Sequence, residues 1–169
     1  MFEYIFDNND LITLEQILRD RNETITTAES CTGGLIAHLI TSISGSSDIF
    51  NGALVSYSNE IKQSELGVDK DTIIEYGVVS KEVVSQMLQG IISKFDADYA
   101  IAVSGVAGPG GGTKNKPVGM VVIGIMSKKN KIKEIDIYRF KGDRKSVQIQ
   151  SAKEALKKIL QFLEKSLDK

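Results

Sequence analysis

The chain has no tryptophan, one cysteine, one histidine and two prolines among its 169 residues. A lone thiol, Cys31, cannot close an internal disulfide, which suits a reducing compartment and points to the cytoplasm. One cysteine and one histidine, His38, are too few for a usual closed zinc site, so no metal is expected. The same scarcity weakens any histidine-dependent triad, because His38 falls about two turns beyond the nearest candidate nucleophile, on a helix of its own. An excess of either charge is also missing. Lys and Arg number 21 against 22 Asp and Glu, a formal net charge of -1, which argues against duplex binding through phosphate neutralisation. No hydrophobic run approaches membrane length, and the opening Met1-Phe2-Glu3-Tyr4-Ile5-Phe6-Asp7 is too short and too acidic for a secretion signal. Neither a nucleic acid nor a membrane is an expected partner. With no repeat, linker or break in composition, residues 1–169 read as one domain long enough to bury a core.

Helical and strand periods alternate along the chain. Leu11, Leu14, Ile17 and Leu18 mark a helix over about 10–21. Thr24 to Thr27 reads as a strand, and Leu35, Ile36, Leu39, Ile40 and Ile43 as the helix after it. Ala53 to Tyr57 reads as a short buried strand, Glu60 to Leu66 as a helix stopped by Gly67, and Asp69 as the cap of a short helix ending near Gly77. Ser80 starts a strongly amphipathic helix through Phe95. Tyr99 to Ser104 has the near-continuous apolar character of a strand covered on both faces. Val118–Met126 and Ile132–Phe140 form an expected antiparallel hairpin, with Lys128, Lys129, Lys131 and Lys133 at a solvated tip. Gly142-Asp143-Arg144 opens a last helix, apolar along Ala152, Ala155, Leu156, Ile159, Leu160, Leu163 and Leu167. The expected fold is a three-layer α/β/α sandwich on a mixed, mainly parallel sheet.

Polar clusters follow three of these strands: Glu29-Ser30-Cys31-Thr32 with Gly33 and Gly34, then Tyr57-Ser58-Asn59 with Lys62, and then Ser104 with the glycine-rich 105–112. Ligands of open α/β sheets gather at the carboxyl ends of strands. Ser30 and Cys31 are both candidate nucleophiles, and Lys62 is a candidate base provided burial keeps its amine neutral. Each has a plainer reading as well, a helix cap, a buried small hydrophobe and a solvated lysine, and Glu29 reads as a cap or ion-pair partner as readily as an acid. The Gly105–Gly112 segment fits neither the P-loop nor the dinucleotide fingerprint. It reads either as a flexible surface loop or as a pocket wall. Arg144 is either an exposed side chain or a bidentate phosphate partner.

Taken together, TTAESCTGG (26–34), YSNEIK (57–62), LGV (66–68), GVVS (77–80), SGVAGPGGG (104–112), KPVG (116–119) and GDR (142–144) resemble, in order and spacing, the CinA C-terminal domain family. That family also occurs alone as nicotinamide mononucleotide deamidase. The resemblance runs over nearly the whole chain and implies the stand-alone form, since the family's longer members carry a further N-terminal domain. It implies hydrolysis of the carboxamide of nicotinamide mononucleotide, a small-molecule nucleotide substrate, without a cofactor. Ser30 is then the nucleophile and Lys62 the general base, with Tyr57 and Glu29 orienting them or the substrate ring. Cys31, Thr32, Gly33 and Gly34 would offer backbone N–H groups to the oxyanion. Ser104, Gly105, Gly108 and Gly111 would line the nucleotide pocket, and Arg144 would meet the phosphate. The family tends to form homo-oligomers. It often has a second arginine shortly after GDR, where this chain reads Lys145-Ser146-Val147-Gln148, so phosphate binding through that helix would be weaker or would rest on Arg144 and Lys145. Two other readings stand beside the amidase: a pyridine-nucleotide-binding regulatory module without turnover, and an enzyme whose nucleophile is Cys31.

Overall fold

The structure is a computed structural model describing residues 6–166; the segment 1–5, weighed above as a secretion signal, and Leu167, on the last helix's apolar side, lie outside it. Five strands run in the order β2-β1-β3-β4-β5, with β1 Ile25–Glu29, β2 Phe50–Val55, β3 Tyr99–Gly105, β4 Met120–Ser127 and β5 Lys133–Arg139. β1 pairs parallel with both β2 and β3, and β4 is antiparallel to β3 and to β5. Four strands therefore point one way and β4 alone opposes them: the sheet is mixed and mainly parallel. The helices are α1 Asn8–Arg21, α2 Leu35–Thr41, α3 Asn59–Leu66, α4 Lys70–Tyr76, α5 Lys81–Phe95 and α6 Arg144–Lys165.

Strand alternation divides the core into two layers. Tyr99, Ile101 and Val103 of β3 join Val121, Ile123 and Ile125 of β4 beneath α1, α2 and α6. Ala100, Ala102, Val122 and Met126 face the other way, beneath α3 and α5. The α5 stripe read from the sequence, Val84, Met87, Leu88, Ile91 and Ile92, is buried there. The sequence reading of a buried Ala53–Tyr57 strand is corrected: β2 starts and ends earlier, lies at the sheet edge with one strand neighbour and is only half covered, with Val55 exposed. Asp69 occupies the α4 cap position, but its carboxylate accepts from Gln86 of α5 rather than from α4 amides. Lys133 also departs from expectation. It is half-buried and donates to Ser85 on α5 at 2.9 Å, whereas Lys128, Lys129 and Lys131 are exposed.

Connectivity fixes where a ligand would sit. The chain leaves β1 through α2 to reach β2 on one side, then returns through α3, α4 and α5 to β3 on the other. β1 is thus the point at which the winding reverses, and the crevice at its carboxyl end is the favoured ligand position of open α/β sheets. α3 is seated by a close approach: a Cβ on Gly90 of α5 would lie 2.0 Å from the Leu66 carbonyl oxygen at the end of α3. Only glycine permits that contact.

Candidate active site

Ser30 is the first residue past β1, and Lys62 lies on the first turn of α3, past β2. The two side chains meet: Lys62 Nζ is 3.2 Å from Ser30 Oγ and donates to the Ser56 carbonyl at 2.6 Å. Lys62 is 1 % exposed, the largest side chain so deeply buried. Burial disfavours its ammonium form and lowers its pKa to about 8, against a smaller opposing pull from Cys31. Ser58 caps α3 by accepting from the Ile61 amide, which starts the helix where Lys62 points back across the strand ends. Ser56 is the tie between the two strands. Its N–H and Oγ both donate to the Glu29 carbonyl, at 2.7 and 3.2 Å, while its own carbonyl receives Lys62.

Glu29 does not enter the cleft. It is fully buried beneath α2, where Oε1 accepts from Thr32 Oγ1 at 2.7 Å and the Ile36 amide at 2.9 Å. Oε2 accepts from the Ala37 amide at 2.9 Å and from Thr27 Oγ1. A carboxylate at that place satisfies first-turn amides and opposes the positive end of the helix dipole. The expectation that Glu29 touches the Ser–Lys pair is therefore replaced by one in which it anchors the turn carrying Ser30. Gly34, with φ 97°, bends the chain into α2 in a conformation that favours glycine. Within the turn, Gly33 N–H donates to the Ser30 carbonyl and Leu35 N–H to that of Thr32. The N–H of Cys31, next to Ser30, meets no other residue among those described.

Ser30, Cys31, Tyr57, Lys62, Ser104, Gly105, Gly108, Gly111 and Arg144 all line one cleft of about 350 Å³, within the size range of small-ligand sites. Thr32, Gly33 and Gly34 do not; they face a neighbouring depression beside His38, Lys145 and Gln148. Lys145, weighed with Arg144 as a phosphate group, is thus outside the cleft. Arg144 bridges two walls, donating to the Gly108 carbonyl at 2.8 Å and to Tyr57 Oη at 2.5 Å. Ser104 is buried and donates to the Val78 carbonyl at 2.8 Å, joining the end of β3 to the segment before α5. Lys116, which the sequence reading left unassigned, also lines the cleft and donates to the Tyr76 carbonyl. Three cations, Lys62, Lys116 and Arg144, line the cleft, and no carboxylate does among the described residues. Burial pushes the Cys31 thiol up to about 12, so it holds its proton at neutral pH and supplies no thiolate.

Fold and site together define the class: a three-layer α/β domain presenting a buried Ser–Lys pair at the switch point of its sheet. The CinA C-terminal domain model matches residues 11–163, and the chain belongs to that family. It is 40% identical over 164 residues to a CinA-like protein of Thermotoga neapolitana, covering 95% of this chain and 40% of the relative. A CinA-like protein of Prochlorococcus marinus is 47% identical over 152 residues, covering 88% of this chain and 36% of the relative. The chain thus spans about two fifths of the length of these curated relatives. Among solved structures, a CinA superfamily protein from Klebsiella pneumoniae superposes with a TM-score of 0.87 at 31% identity, covering 92% of this chain and 96% of that one. The competence/damage inducible protein CihA from Agrobacterium tumefaciens gives 0.85 at 34% identity, covering 96% and 99%. No helix among the described residues is long and apolar enough to cross a membrane.

Proposed function

We propose that the chain hydrolyses the carboxamide of nicotinamide mononucleotide, giving nicotinic acid mononucleotide and ammonia. The observation that carries this reading is the 3.2 Å contact between Ser30 Oγ and a lysine amine withdrawn from water. Burial that lowers the Lys62 pKa to about 8 leaves roughly a tenth of the molecules with a neutral amine at pH 7. In that form the Nζ lone pair takes the Ser30 hydroxyl proton as Oγ attacks the amide carbon. The same proton then passes to the departing nitrogen, the C–N bond breaks, and ammonia leaves an ester on Ser30. Water attacks that ester, Lys62 again accepts the proton and returns it to Ser30 Oγ, and the carboxylic acid product ionises. The Cys31 N–H is the donor best placed to meet the oxyanion, because Cys31 lines the cleft while Thr32, Gly33 and Gly34 do not, and the Ile36 and Ala37 amides are taken by Glu29. One such donor is worth about 3–4 kcal/mol in other enzymes.

Cleft charge supports an anionic substrate. Arg144 and Lys116 both line the cleft, and no carboxylate does among the described residues, in a chain whose net charge is close to zero. A phosphate is the group these two cations fit. The test is ammonia release from nicotinamide mononucleotide beside the unphosphorylated riboside. The mononucleotide is expected to turn over with the lower KM, and Ser30→Ala and Lys62→Ala, each still folded, to lose activity by at least about a thousandfold. Tight binding with no product would replace this reading by that of a binding module. Activity surviving in Ser30→Ala would remove Ser30 as nucleophile.

A further inference from the structure

The turn that carries Ser30 is held from two sides, and only one of them belongs to its own strand–helix unit. Glu29 grips it from below through Thr32 and α2. From the other side Gln148, half-buried on α6 and 117 residues further along the chain, donates from Nε2 to the Cys31 carbonyl at 3.0 Å. This is the only side-chain hydrogen bond that joins α6 to the nucleophile turn among the described residues, and it falls on the peptide directly after Ser30–Cys31. A planar peptide fixed at its carbonyl is fixed in orientation, and the torsions of Cys31 are restricted with it. The Cys31 N–H, which meets no other residue among those described, is positioned by those torsions.

We propose that Gln148 is a positioning residue for the Ser30 site. It does not line the Ser–Lys cleft and acts only through the Cys31 backbone. The inference rests on the amidase reading for its substrate, but the observation behind it, the hydrogen bond from Gln148 to the Cys31 carbonyl, does not.

Three full-length variants separate positioning from bulk. Gln148→Ala removes the donor, Gln148→Glu keeps the size but sets an acceptor against a carbonyl, and Gln148→Arg restores a donor of sufficient reach. Turnover of nicotinamide mononucleotide is expected to fall about tenfold in Gln148→Ala and at least as far in Gln148→Glu, less than the loss of a whole oxyanion donor. KM is expected to stay within about twofold, because the Gln148 side chain does not itself line the cleft. Gln148→Arg is expected to recover most of the turnover. A fluorophosphonate, which phosphonylates an activated serine with loss of fluoride, reads Ser30 reactivity by mass without any nucleotide. Labelling rates should follow the same order. Wild-type protein that labels at Ser30 but leaves the mononucleotide intact would defeat the substrate reading alone, with the labelling series still deciding the role of Gln148. Alanine variant rates equal to wild type, or arginine and glutamate variants falling together, would overturn the inference. If Gln148→Ala does not fold, the arginine–glutamate contrast decides the question by itself.

Discussion

At the scale of single residues, two buried ionisable groups have opposite consequences for this protein. Lys62 is withdrawn from water with two partners, Ser30 and the Ser56 carbonyl, and its altered protonation is put to use in the proposed chemistry. Glu15 on α1 is 1 % exposed, and neither carboxylate oxygen has a hydrogen-bond partner; Arg19 approaches only to 3.6 Å. Burial raises its pKa to about 7, with Arg19 pulling the other way. A folded-state pKa raised above 4.5 means that the native chain holds a proton which the unfolded chain has lost. Stability from this group is complete below the unfolded pKa and drains away as pH rises through about 7. Glu15→Gln is therefore expected to match wild type near about pH 4 and to be more stable by about 3 kcal/mol near about pH 8. Urea unfolding at the two pH values checks this, and an equal offset at both would refute the assignment.

At the scale of elements, the site depends on how α2 and α3 are seated. The α2 apolar spacing was legible in the sequence, as was the α3 stop at Gly67, because periodicity and helix terminators are local signals. Glu29 was legible as a cap or ion-pair partner, but the way it reaches α2 was not. Its partners are amides seven and eight residues ahead, reached only because the turn through Gly33 and Gly34 folds α2 back over the strand end. Gly90 was equally silent, since a glycine inside a strong amphipathic stripe reads as a minor helix cost. Its function is the 2.0 Å clearance that lets α3 settle on α5. Gly90→Ala must lift the end of α3, and with it Lys62. A loss of about 1–3 kcal/mol in stability is expected together with a fall in turnover larger than any change in KM. Thermal unfolding and steady-state kinetics measure both. Unchanged turnover would mean that the α3–α5 contact does not set the position of Lys62.

At the scale of the whole molecule, the sequence disclosed the three layers, the hairpin and the gathering of polar clusters at strand ends. Those follow from hydrophobic period and from where loops fall. The chain order β2-β1-β3 brings Ser30 and Lys62 together across 32 positions; the sequence reading paired them by the motif resemblance and their shared place past strand ends. Three contributors stayed hidden. Ser56 sat inside an expected strand, Lys116 was one lysine of a glycine-rich loop, and Gln148 was visible only as a departure from a familiar arginine. Each works through a partner far away in sequence, and no local pattern marks it. The covered edge of β2 was overestimated for a related reason, since an uncharged apolar run does not reveal how many neighbours its strand will have.

The central claim is that Lys62 in its neutral form removes the Ser30 proton, and the pH dependence of turnover tests it most directly. Measured from roughly pH 6 to 10 at saturating nicotinamide mononucleotide, kcat is expected to rise about tenfold per unit below the Lys62 pKa. It should bend near about 8 and level off above that, the direction required of a base that works only when deprotonated. A rate that is flat across this range, or that falls as the pH rises through 8, would contradict the account.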